Sequence, residues 1–388
     1  MCRVNPETTI GKVVTPSPAG LSRVALHRWT AVIPSESGVT GYLDPFGGDT
    51  TAWPYTRWTS EEHEIGFPAT ELVPSWTAAA PKGSWLRVEL RARTVTGGLT
   101  KWYDMGRWAE GGDDIHRTSL PGQGDEDGDV AVDTFVAARP VRSYRLRITL
   151  YGAGARVRAA GVMASAPPAR AGVPVSAPGE ARGAELDVPP RSQWLHAGHY
   201  PEWGGGGDSW CSPASVAMVL QYWGAGPAPE ELAFVDPADP CPAVDHAARD
   251  MYDHSYQGTG NWPFAVAYAG RYGMDGFVTR LRSLAELERF IRAGVPVITS
   301  QSFKERELPG AGYSTGGHLM VVTGFTPEGD VIANDPAAPS DDTVKRTYPR
   351  AAFEHVWLRA AGSGGIVHVI HPFDVPLPFP LPSSEGTW

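Results

Sequence analysis

The pattern of hydrophobic and polar positions divides the chain into two regions of different character. In the first, about residues 20–163, apolar and polar residues alternate in short runs such as 84–92 (SWLRVELRA) and 144–151 (YRLRITLY). Alternation with a period of two is typical of half-buried strands. Clusters of Gly, Pro and Asp separate these runs, and no long helical period occurs before residue 163. The pattern predicts an antiparallel β-sandwich that is jelly-roll-like.

The second region, about residues 186–376, mixes predicted helices and strands. Residues 213–223 (PASVAMVLQYW) form an apolar helical segment, and Ser283 with Glu286 makes a capping box for a helix that ends before Gly294. Further strands are predicted at 295–300, 319–325 and 330–334, the last two as a hairpin. A leading helix followed by an antiparallel sheet is an α+β pattern.

A segment rich in proline and alanine and free of aromatic residues separates the two regions. Such a segment buries little surface and is predicted to be a linker. The predicted organisation is an N-terminal tail (1–19), the sandwich (20–163), the linker (164–185), the α+β domain (186–376) and a C-terminal tail (377–388).

Charge and composition narrow the function classes. The 388 residues include 43 acidic and 33 basic ones, so the net charge is −10, and no basic run is present that would bind nucleic acid. No apolar stretch reaches the roughly 18 residues that a membrane span needs. The start, MCRVNPETTIGKVV, lacks a charged segment followed by an apolar one. We therefore expect a cytoplasmic protein as the sequence is written, or a secreted one if the start site is misassigned.

Cys211 is the first candidate for chemistry, because it lies where the predicted helix begins. Four glycines at 204–207 precede it, and Pro213 follows in the first turn, where its missing N–H is tolerated. A helix N-terminus favours a thiolate. The alternative for a lone cysteine is a buried thiol that acts as a small hydrophobic side chain.

His318 and Asp335 complete a candidate constellation. His318 follows two glycines at the mouth of an apolar strand, where an imidazole can approach a thiol as its general base. Asp335 ends the neighbouring strand on the same side of the predicted hairpin, where a carboxylate can orient the imidazole. The Asn-Asp-Pro sequence alone would indicate only a turn. A cysteine at a helix start followed by a histidine and an aspartate on one hairpin is a more specific sign of a catalytic site.

These residues carry a resemblance to a known family. The second region resembles the C39-like cysteine peptidases of the papain-like superfamily, through SQWLHAGHYPEWGGGGDSWCSPAS, YQGTGNWPFAVAYA, GGHLMVVTGF and ANDPA. The resemblance implies Cys211 as nucleophile, His318 as base, Asp335 as its orienting partner and Gln193 as an oxyanion-hole donor. Asn334 is the rival of Asp335, because papain itself uses Asn. The first region resembles the accessory β domain of actinobacterial members, from which no activity transfers.

The function implied is a cysteine peptidase that hydrolyses peptide or protein substrates through a thioester acyl-enzyme. Two alternatives stay open. The first is an amidase or acyltransferase with the same triad, and the second is an inactive protein that binds a glycan or a peptide. No cofactor is expected.

His196 and His199 form an H-x2-H pair close to Gln193. Zinc would need further ligands, and the conceivable ones, Cys241 and His246, do not stand at any recognised spacing. The pair is therefore interpreted as lining the cleft, and no metal is expected.

Aromatic side chains of the first region have two interpretations. They fill the core of the sandwich, or they form a stacking platform for a glycan partner. Trp85 and Trp102 are predicted to fall within alternating strands, which favours the core. The candidates for a platform are Trp53, Tyr55, Trp58, Trp76 and Trp102.

Overall fold

The computed structural model describes residues 23–168, 173–359, 362–379 and 388. The tail predicted at 1–19 lies outside these residues, as does most of the tail predicted at 377–388. The described residues form two antiparallel sheets, one in each predicted region, and their α-helices all belong to the second region. The predicted succession of a sheet-rich domain and a mixed domain is thus confirmed.

Nine strands form the sheet of the first region. They are β1 (Arg23–Trp29), β2 (Glu36–Tyr42), β3 (Thr51–Thr59), β4 (His63–Ala79), β5 (Ser84–Thr94), β6 (Tyr103–Trp108), β7 (Gly128–Ala131), β8 (Thr134–Gly152) and β9 (Arg156–Ala166). The main path runs β1-β9-β4-β8-β3-β2, β5 and β7 pair with β8, and β6 pairs with β5. β8 has 19 residues, and this length allows it to pair with four other strands.

The alternating runs of the sequence correspond to paired strands. The run 84–92 lies in β5, the run 144–151 lies in β8, and the two strands pair with each other along this length. Fully buried side chains on one face of β5 include Leu86, Val88 and Leu90. Arg87 and Glu89 alternate with them and form an ion pair of 3.2 Å. Antiparallel pairing with a period of two is what the sequence predicted.

The large aromatic side chains of the first region pack mostly against one another. Trp76 and Trp85 are each 1% exposed. The Trp85 ring stacks on Tyr151 with ring centroids 3.7 Å apart, and Trp53 and Tyr55 cover the same cluster from its edge. These contacts agree with the core interpretation, while the glycan platform stays a prediction. The prediction that Trp102 lies within a strand is wrong, because β6 begins at Tyr103 and the Trp102 side chain is only half-buried.

Six strands and five helices form the second region in the described residues. The strands are β10 (Met274–Arg280), β11 (Val297–Phe303), β12 (Thr315–Phe325), β13 (Val331–Asn334), β14 (Lys345–Tyr348) and β15 (Ile366–Pro372). The helices are α1 (Cys211–Tyr222), α2 (Pro242–Met251), α3 (Trp262–Arg271), α4 (Leu284–Arg292) and α5 (Arg350–Leu358). The strand order is β10-β15-β11-β12-β13-β14. None of the helices that the structure describes is long and apolar enough to cross a membrane.

The second sheet is covered by helices on both faces. Ile298 of β11 and Val321 of β12 belong to the apolar cluster that contains α1 and α3. Their neighbours in sequence, Val297 and Val322, belong to the cluster that contains α4 and α5. Successive side chains of a strand point to opposite faces, so a strand buried on both faces needs a continuous apolar run. This explains why the central strands show no polar alternation.

The two regions share one apolar core at their boundary. The Phe264 ring of α3 lies 6.3 Å from Trp76 and 5.4 Å from Trp108, both of the first sheet. Gly106 permits this approach, because a Cβ there would lie 3.1 Å from Phe264 and its φ is +147°. Residues of both sheets consequently belong to one buried cluster.

The segment predicted as a linker is held against the second region over part of its length. β9 continues to Ala166, past the predicted start of the linker at residue 164. Glu288 of α4 then accepts hydrogen bonds of 2.9 Å from the backbone N–H groups of Gly179 and Ala181. A buried carboxylate thus gives the proline-rich backbone polar partners that its sequence does not indicate.

Candidate active site

The candidate nucleophile occupies the first residue of a helix. α1 begins at Cys211, and the preceding Trp210 provides no side-chain cap, so the first turn keeps N–H groups without an intrahelical partner. Ser215, one turn on, donates from its hydroxyl to the Leu319 carbonyl at 3.3 Å. This contact joins α1 to strand β12 directly beside His318.

Cys211 takes part in a disulfide, whereas Cys241 is a free, buried thiol. The sequence favoured a thiol at Cys211, so the disulfide is a difference from that expectation. A thiolate, not a disulfide sulfur, is the nucleophile in acyl transfer. Chemistry of this kind at Cys211 therefore requires the reduced form of the protein.

His318 and Asp335 are in direct contact. His318 lies near the start of β12 and Asp335 directly follows β13, the strand that pairs with β12. The His318 Nε2 lies 2.8 Å from the Asp335 Oδ1, and the two side chains are 4% and 0% exposed. Because Nε2 faces the carboxylate, Nδ1 is the ring nitrogen left to exchange a proton with another group.

Asp335 is held by several donors. The Tyr313 hydroxyl donates to its Oδ2 at 2.9 Å, the Tyr348 hydroxyl donates to the same oxygen, and the Ala337 backbone N–H donates to Oδ1 at 3.0 Å. Burial alone would raise the pKa of this carboxyl group. The charge and hydrogen bond of His318, with the bonds from Tyr348 and Ala337, outweigh burial and hold the pKa of Asp335 at about 2. Asp335 is therefore ionised at neutral pH.

Asn334, the alternative to Asp335, makes a structural hydrogen bond instead. Its side chain is buried, and its Nδ2 donates to the Val188 carbonyl at 2.9 Å. That bond fixes the chain where it enters the second region. The carboxylate of Asp335, and not the amide of Asn334, makes the contact with His318.

Gln193 lies in a 3-10 helix (Gln193–His196) that is anchored beside Asp335. Its backbone N–H donates to the Pro336 carbonyl at 2.9 Å. Ser192 caps the turn and also donates from its hydroxyl to the Ala338 carbonyl. The Gln193 side chain is 2% exposed, and its Oε1 has no hydrogen-bond partner among the described residues. The backbone of Gln193 is thus held next to the segment that carries Asp335.

The glycine-rich insert between Gln193 and α1 is a compact loop. Residues 204–207 have φ of +96°, +77°, +62° and +54°, a conformation that favours glycine. A Cβ on Gly206 would lie 1.7 Å from the His196 carbonyl oxygen, so no larger residue fits. The Trp210 Nε1–H donates to the Trp203 carbonyl at 2.8 Å and closes the loop. The insert therefore leads into α1 along a fixed path.

Sequence reasoning missed Tyr313 and Tyr348. Tyr348 ends β14, which reaches Asp335 only through the pairing of this short strand with β13. Tyr313 precedes β12, and its ring centroid lies 5.5 Å from that of His318. No spacing marks either tyrosine, because each reaches the site through pairing that a local pattern does not encode.

An open cavity borders this part of the molecule. Its volume is about 870 Å3, and its lining includes Lys304, Arg306, Gly312 and Ser314. Gly312 and Ser314 flank Tyr313 in the chain, but neither Tyr313 nor His318 or Asp335 is among the residues that line the cavity.

Comparison with known proteins gives two family matches. Residues 15–165 match the Peptidase C39 N-terminal domain, and residues 185–364 match the Peptidase_C39 like family. No curated protein matches the chain.

Two solved structures are similar over part of the chain. A crystal structure described as a C39-like peptidase from Bacillus anthracis is 21% identical, with a TM-score of 0.31, over 48% of this chain and 96% of that one. A structure of infectious bursal disease virus, Gx strain, is 12% identical, with a TM-score of 0.19, over 39% of this chain and 36% of that one. Neither TM-score is high enough to support an argument. On the family matches, the second region of this chain belongs to the C39-like peptidase family, and the first region is the N-terminal domain that goes with it.

Proposed function

We propose that the reduced protein is a cysteine peptidase in which Cys211, His318 and Asp335 form the catalytic triad. Gln193 and the Cys211 backbone N–H form the oxyanion hole. The substrate is a peptide or a protein, and its acyl part is carried as a thioester on Cys211.

The observation that carries this proposal is the contact between His318 and Asp335. The 2.8 Å contact uses Nε2, and the carboxylate is ionised and fully buried. An ionised carboxylate in this position selects the tautomer with a proton on Nε2 and stabilises the imidazolium that forms during the reaction. Nδ1 is then free to accept the proton of a thiol. A histidine buried only for packing would not need so strongly supported a carboxylate.

The reaction proceeds in two acyl transfers. The Cys211 sulfur gives its proton to His318 and attacks the amide carbon, and the negative charge on the carbonyl oxygen is bound by the two oxyanion-hole donors. His318 then protonates the leaving amine, the C–N bond breaks, and a thioester remains. A water molecule deprotonated by His318 hydrolyses the thioester, which releases the acid and restores the thiol.

Gln193 supports the oxyanion assignment through its anchoring. Its backbone N–H donates to the carbonyl of Pro336, the residue after Asp335, and its side chain is buried. Backbone and side-chain donors arranged in advance stabilise the developing charge with little reorganisation.

We also propose that the second region has a papain-like fold and that the first is a jelly-roll-like sandwich. α1 leading into an antiparallel sheet supports a papain-like arrangement for the second region. The long strands β4 and β8, which pair with several partners each, support a jelly-roll-like sandwich for the first.

Digestion of a peptide library tests the proposed activity. The full chain is treated with tris(2-carboxyethyl)phosphine, incubated with the library and compared with Cys211→Ala by mass spectrometry. We expect new termini with wild type, none above background with Cys211→Ala, and unchanged cleavage with the control Cys241→Ala. Cleavage that persists in Cys211→Ala would refute the nucleophile. Release of ammonia or transfer of an acyl group from non-peptide amides, without peptide cleavage, would favour the amidase or acyltransferase.

A further inference from the structure

A second cluster of titratable side chains lies on the other side of the glycine-rich loop. It consists of His196, His199, Asp239 and Asp245, and one ligand atom from each lies within 4.8 Å of all the others. His196 ends the turn that begins with Gln193, and Asp245 lies in the first turn of α2. We propose that these four side chains bind one zinc ion.

The distances between the atoms match one shared centre. The His196 Nδ1 lies 2.7 Å from Asp245 Oδ2 and 3.4 Å from Asp239 Oδ2. The His199 Nδ1 lies 2.9 Å from Asp245 Oδ1 and 3.3 Å from Asp239 Oδ2. In a tetrahedral zinc site with bonds of about 2.0–2.2 Å, neighbouring ligand atoms are roughly 3.3 Å apart. The two contacts with Asp239 have nearly that separation, while the two with Asp245 are shorter and reach different oxygens of its carboxylate, one of which would bind the ion.

Some buried atoms of the cluster form no directed hydrogen bond. His196 is 0% exposed, and its ring nitrogens form none among the described residues, although Nδ1 lies 2.7 Å from Asp245 Oδ2. The same holds for Asp239 Oδ2 and Asp245 Oδ2, whose side chains are 0% exposed. Buried polar atoms normally form directed hydrogen bonds, so the His196 Nδ1 and the two carboxylate oxygens beside it, which form none, indicate a ligand that accepts lone pairs.

The charges of the cluster also favour a bound cation. In the described residues, the ion pairs of Asp239 and Asp245 are with His196 and His199, and no arginine or lysine pairs with either carboxylate. Two carboxylates buried side by side need positive charge next to them, which either protonated imidazoles or a bound cation can supply. A divalent cation bound by all four side chains supplies that charge while both imidazoles are neutral ligands.

The ligand types select the metal. Two imidazoles disfavour Ca2+ and Mg2+, which prefer oxygen ligands, and two carboxylates with two imidazoles in a four-ligand arrangement suit Zn2+. Four protein ligands make a closed site, which is structural and not catalytic. The side chain of His199 is 34% exposed, so a zinc ion can reach the cluster from solvent on that side.

The sequence did not reveal this set. Its two carboxylates come from the segment before α2 and from α2 itself, at no recognised spacing from the histidines. Cys241 and His246, the partners considered from the sequence, are not members. His246 instead has its Nδ1 3.0 Å from the Tyr268 hydroxyl.

The site has a structural consequence for the loop that leads to Cys211. His196 shares its 3-10 turn with Gln193, and its carbonyl is the group against which Gly206 packs. The Trp210 ring lies 6.1 Å from that of His196. A zinc ion here would therefore fix the loop between Gln193 and Cys211 to α2. Zinc binding itself does not depend on the proposed peptidase activity.

The test measures zinc on the full chain, purified without a metal-affinity tag and reduced with tris(2-carboxyethyl)phosphine. After removal of metal with 1,10-phenanthroline, zinc is added back and the bound metal is counted by inductively coupled plasma mass spectrometry. We expect about one zinc per chain and a higher melting temperature than for the metal-free protein, because a ligand bound only by the folded state stabilises it. A ratio near zero with an unchanged melting temperature overturns the proposal.

Variants make the test specific. His199→Gln and Asp245→Asn should lose zinc, while His116→Gln should keep it, since His116 is another half-exposed histidine paired with an aspartate (Asp44, 3.2 Å). Circular dichroism verifies that each variant is folded. If Asp245→Asn does not fold, His199→Gln alone decides, because its side chain is partly exposed. Zinc retained by His199→Gln at the wild-type ratio, or another metal retained in place of zinc, contradicts the assignment.

Cobalt substitution identifies the ligands independently of stability. Four-coordinate Co2+ bound by nitrogen and oxygen absorbs in the visible region without a sulfur charge-transfer band. A sulfur band would mean that Cys241 is a ligand and would overturn the proposed set. Cys211→Ala should bind zinc as wild type does, so a failure of the peptidase proposal and a failure of the zinc proposal are distinguishable.

Discussion

One buried cluster in each region shows a different way to bury a carboxylate. In the first sheet, two buried carboxylates are surrounded by arginine: Glu89 lies 2.6 Å from Arg147, and Asp104 lies 2.8 Å from Arg87 and 3.0 Å from Arg107. These side chains lie on neighbouring strands. Paired charges of this kind help to hold the strands in register.

In the second region, the buried carboxylate of the site is surrounded mostly by neutral donors. Two tyrosine hydroxyls and one backbone N–H bond Asp335, its contact to His318 is through an imidazole, and the nearest arginine atom is 3.9 Å away, on Arg346. Because no arginine neutralises the carboxylate fully, its charge remains available to stabilise an imidazolium. The comparison suggests that the surroundings of a buried acid, more than its burial, separate a structural carboxylate from one that can support catalysis.

The largest effect expected from this comparison is at Asp335. Asp335→Asn keeps the shape of the side chain but removes the charge and the preference for one histidine tautomer, so we expect kcat of the reduced protein to fall by about 10²–10⁴-fold. Asn334→Ala is the matched control. It should lower the free energy of unfolding by about 1–2 kcal/mol, because the Val188 carbonyl loses its donor, and leave kcat nearly unchanged. Equal losses of kcat in both variants would show that the charge of Asp335 does not contribute to catalysis.

The shared core is the next test, since it decides whether the regions are independent units. Phe264→Ala removes a fully buried ring between Trp76 and Trp108, and we expect it to lower the free energy of unfolding by about 3–5 kcal/mol. Phe373→Ala, at a position that is 50% exposed, should change it by less than about 0.5 kcal/mol. Urea unfolding followed by Trp fluorescence and circular dichroism should give one transition. Two separate wild-type transitions would contradict the shared core.

Gln193 should affect the reaction and not the fold. Gln193→Ala removes one oxyanion-hole donor, so we expect kcat to fall by about 10–10³-fold with little change in KM. Gln221→Ala is the control, because Gln221 lies on the same side of the molecule but bonds Arg191 and Cys241. A loss confined to KM would place Gln193 in substrate binding and remove it from the oxyanion hole.

The smallest effect expected concerns how the free energy of unfolding depends on pH. Asp133 and Asp335 contribute to this dependence with opposite signs. Burial raises the pKa of Asp133 to about 7, against partial compensation from the Trp262 N–H, whereas the pKa of Asp335 is about 2. Asp133 therefore binds a proton more tightly in the folded state, and its contribution to stability falls as pH rises from about 4 to 7. Asp335 contributes the reverse: its stabilisation is present above about pH 4 and is lost as pH falls toward 2.

Unfolding at pH 5 and pH 7 checks the first half of this contrast. We expect Asp133→Asn to reduce the loss of unfolding free energy between these pH values by about 2 kcal/mol. The exposed control Asp113→Asn, whose side chain is 70% exposed, should behave as wild type does. The same pH dependence in wild type and Asp133→Asn would show that Asp133 does not titrate in this range.

Local patterns predicted the elements that depend on local physics. The alternation at 84–92 and 144–151 identified β5 and β8, because side chains of a strand alternate between its faces. Ser283 predicted the start of α4, and its hydroxyl accepts the Glu286 N–H at 3.2 Å. The helix expected from residue 213 begins at Cys211, where Pro213 occupies the first turn.

Long-range pairing accounts for most of what the sequence did not predict. Tyr348 reaches Asp335 across β13, and Asp239 reaches His196 from more than 40 residues away in the chain. The shared core likewise depends on Phe264 meeting Trp76 across the boundary between the regions. Such contacts depend on how elements dock, which neither periodicity nor spacing encodes.

The central claim is that His318, held by Asp335, activates Cys211. The most direct measurement is the rate at which iodoacetamide alkylates Cys211 in the reduced full chain at pH 6, followed by mass spectrometry of the Cys211 peptide, in wild type and in His318→Ala. The account predicts alkylation at least about tenfold faster in wild type, because the imidazole stabilises the thiolate that reacts. Equal rates in the two folded proteins would contradict it.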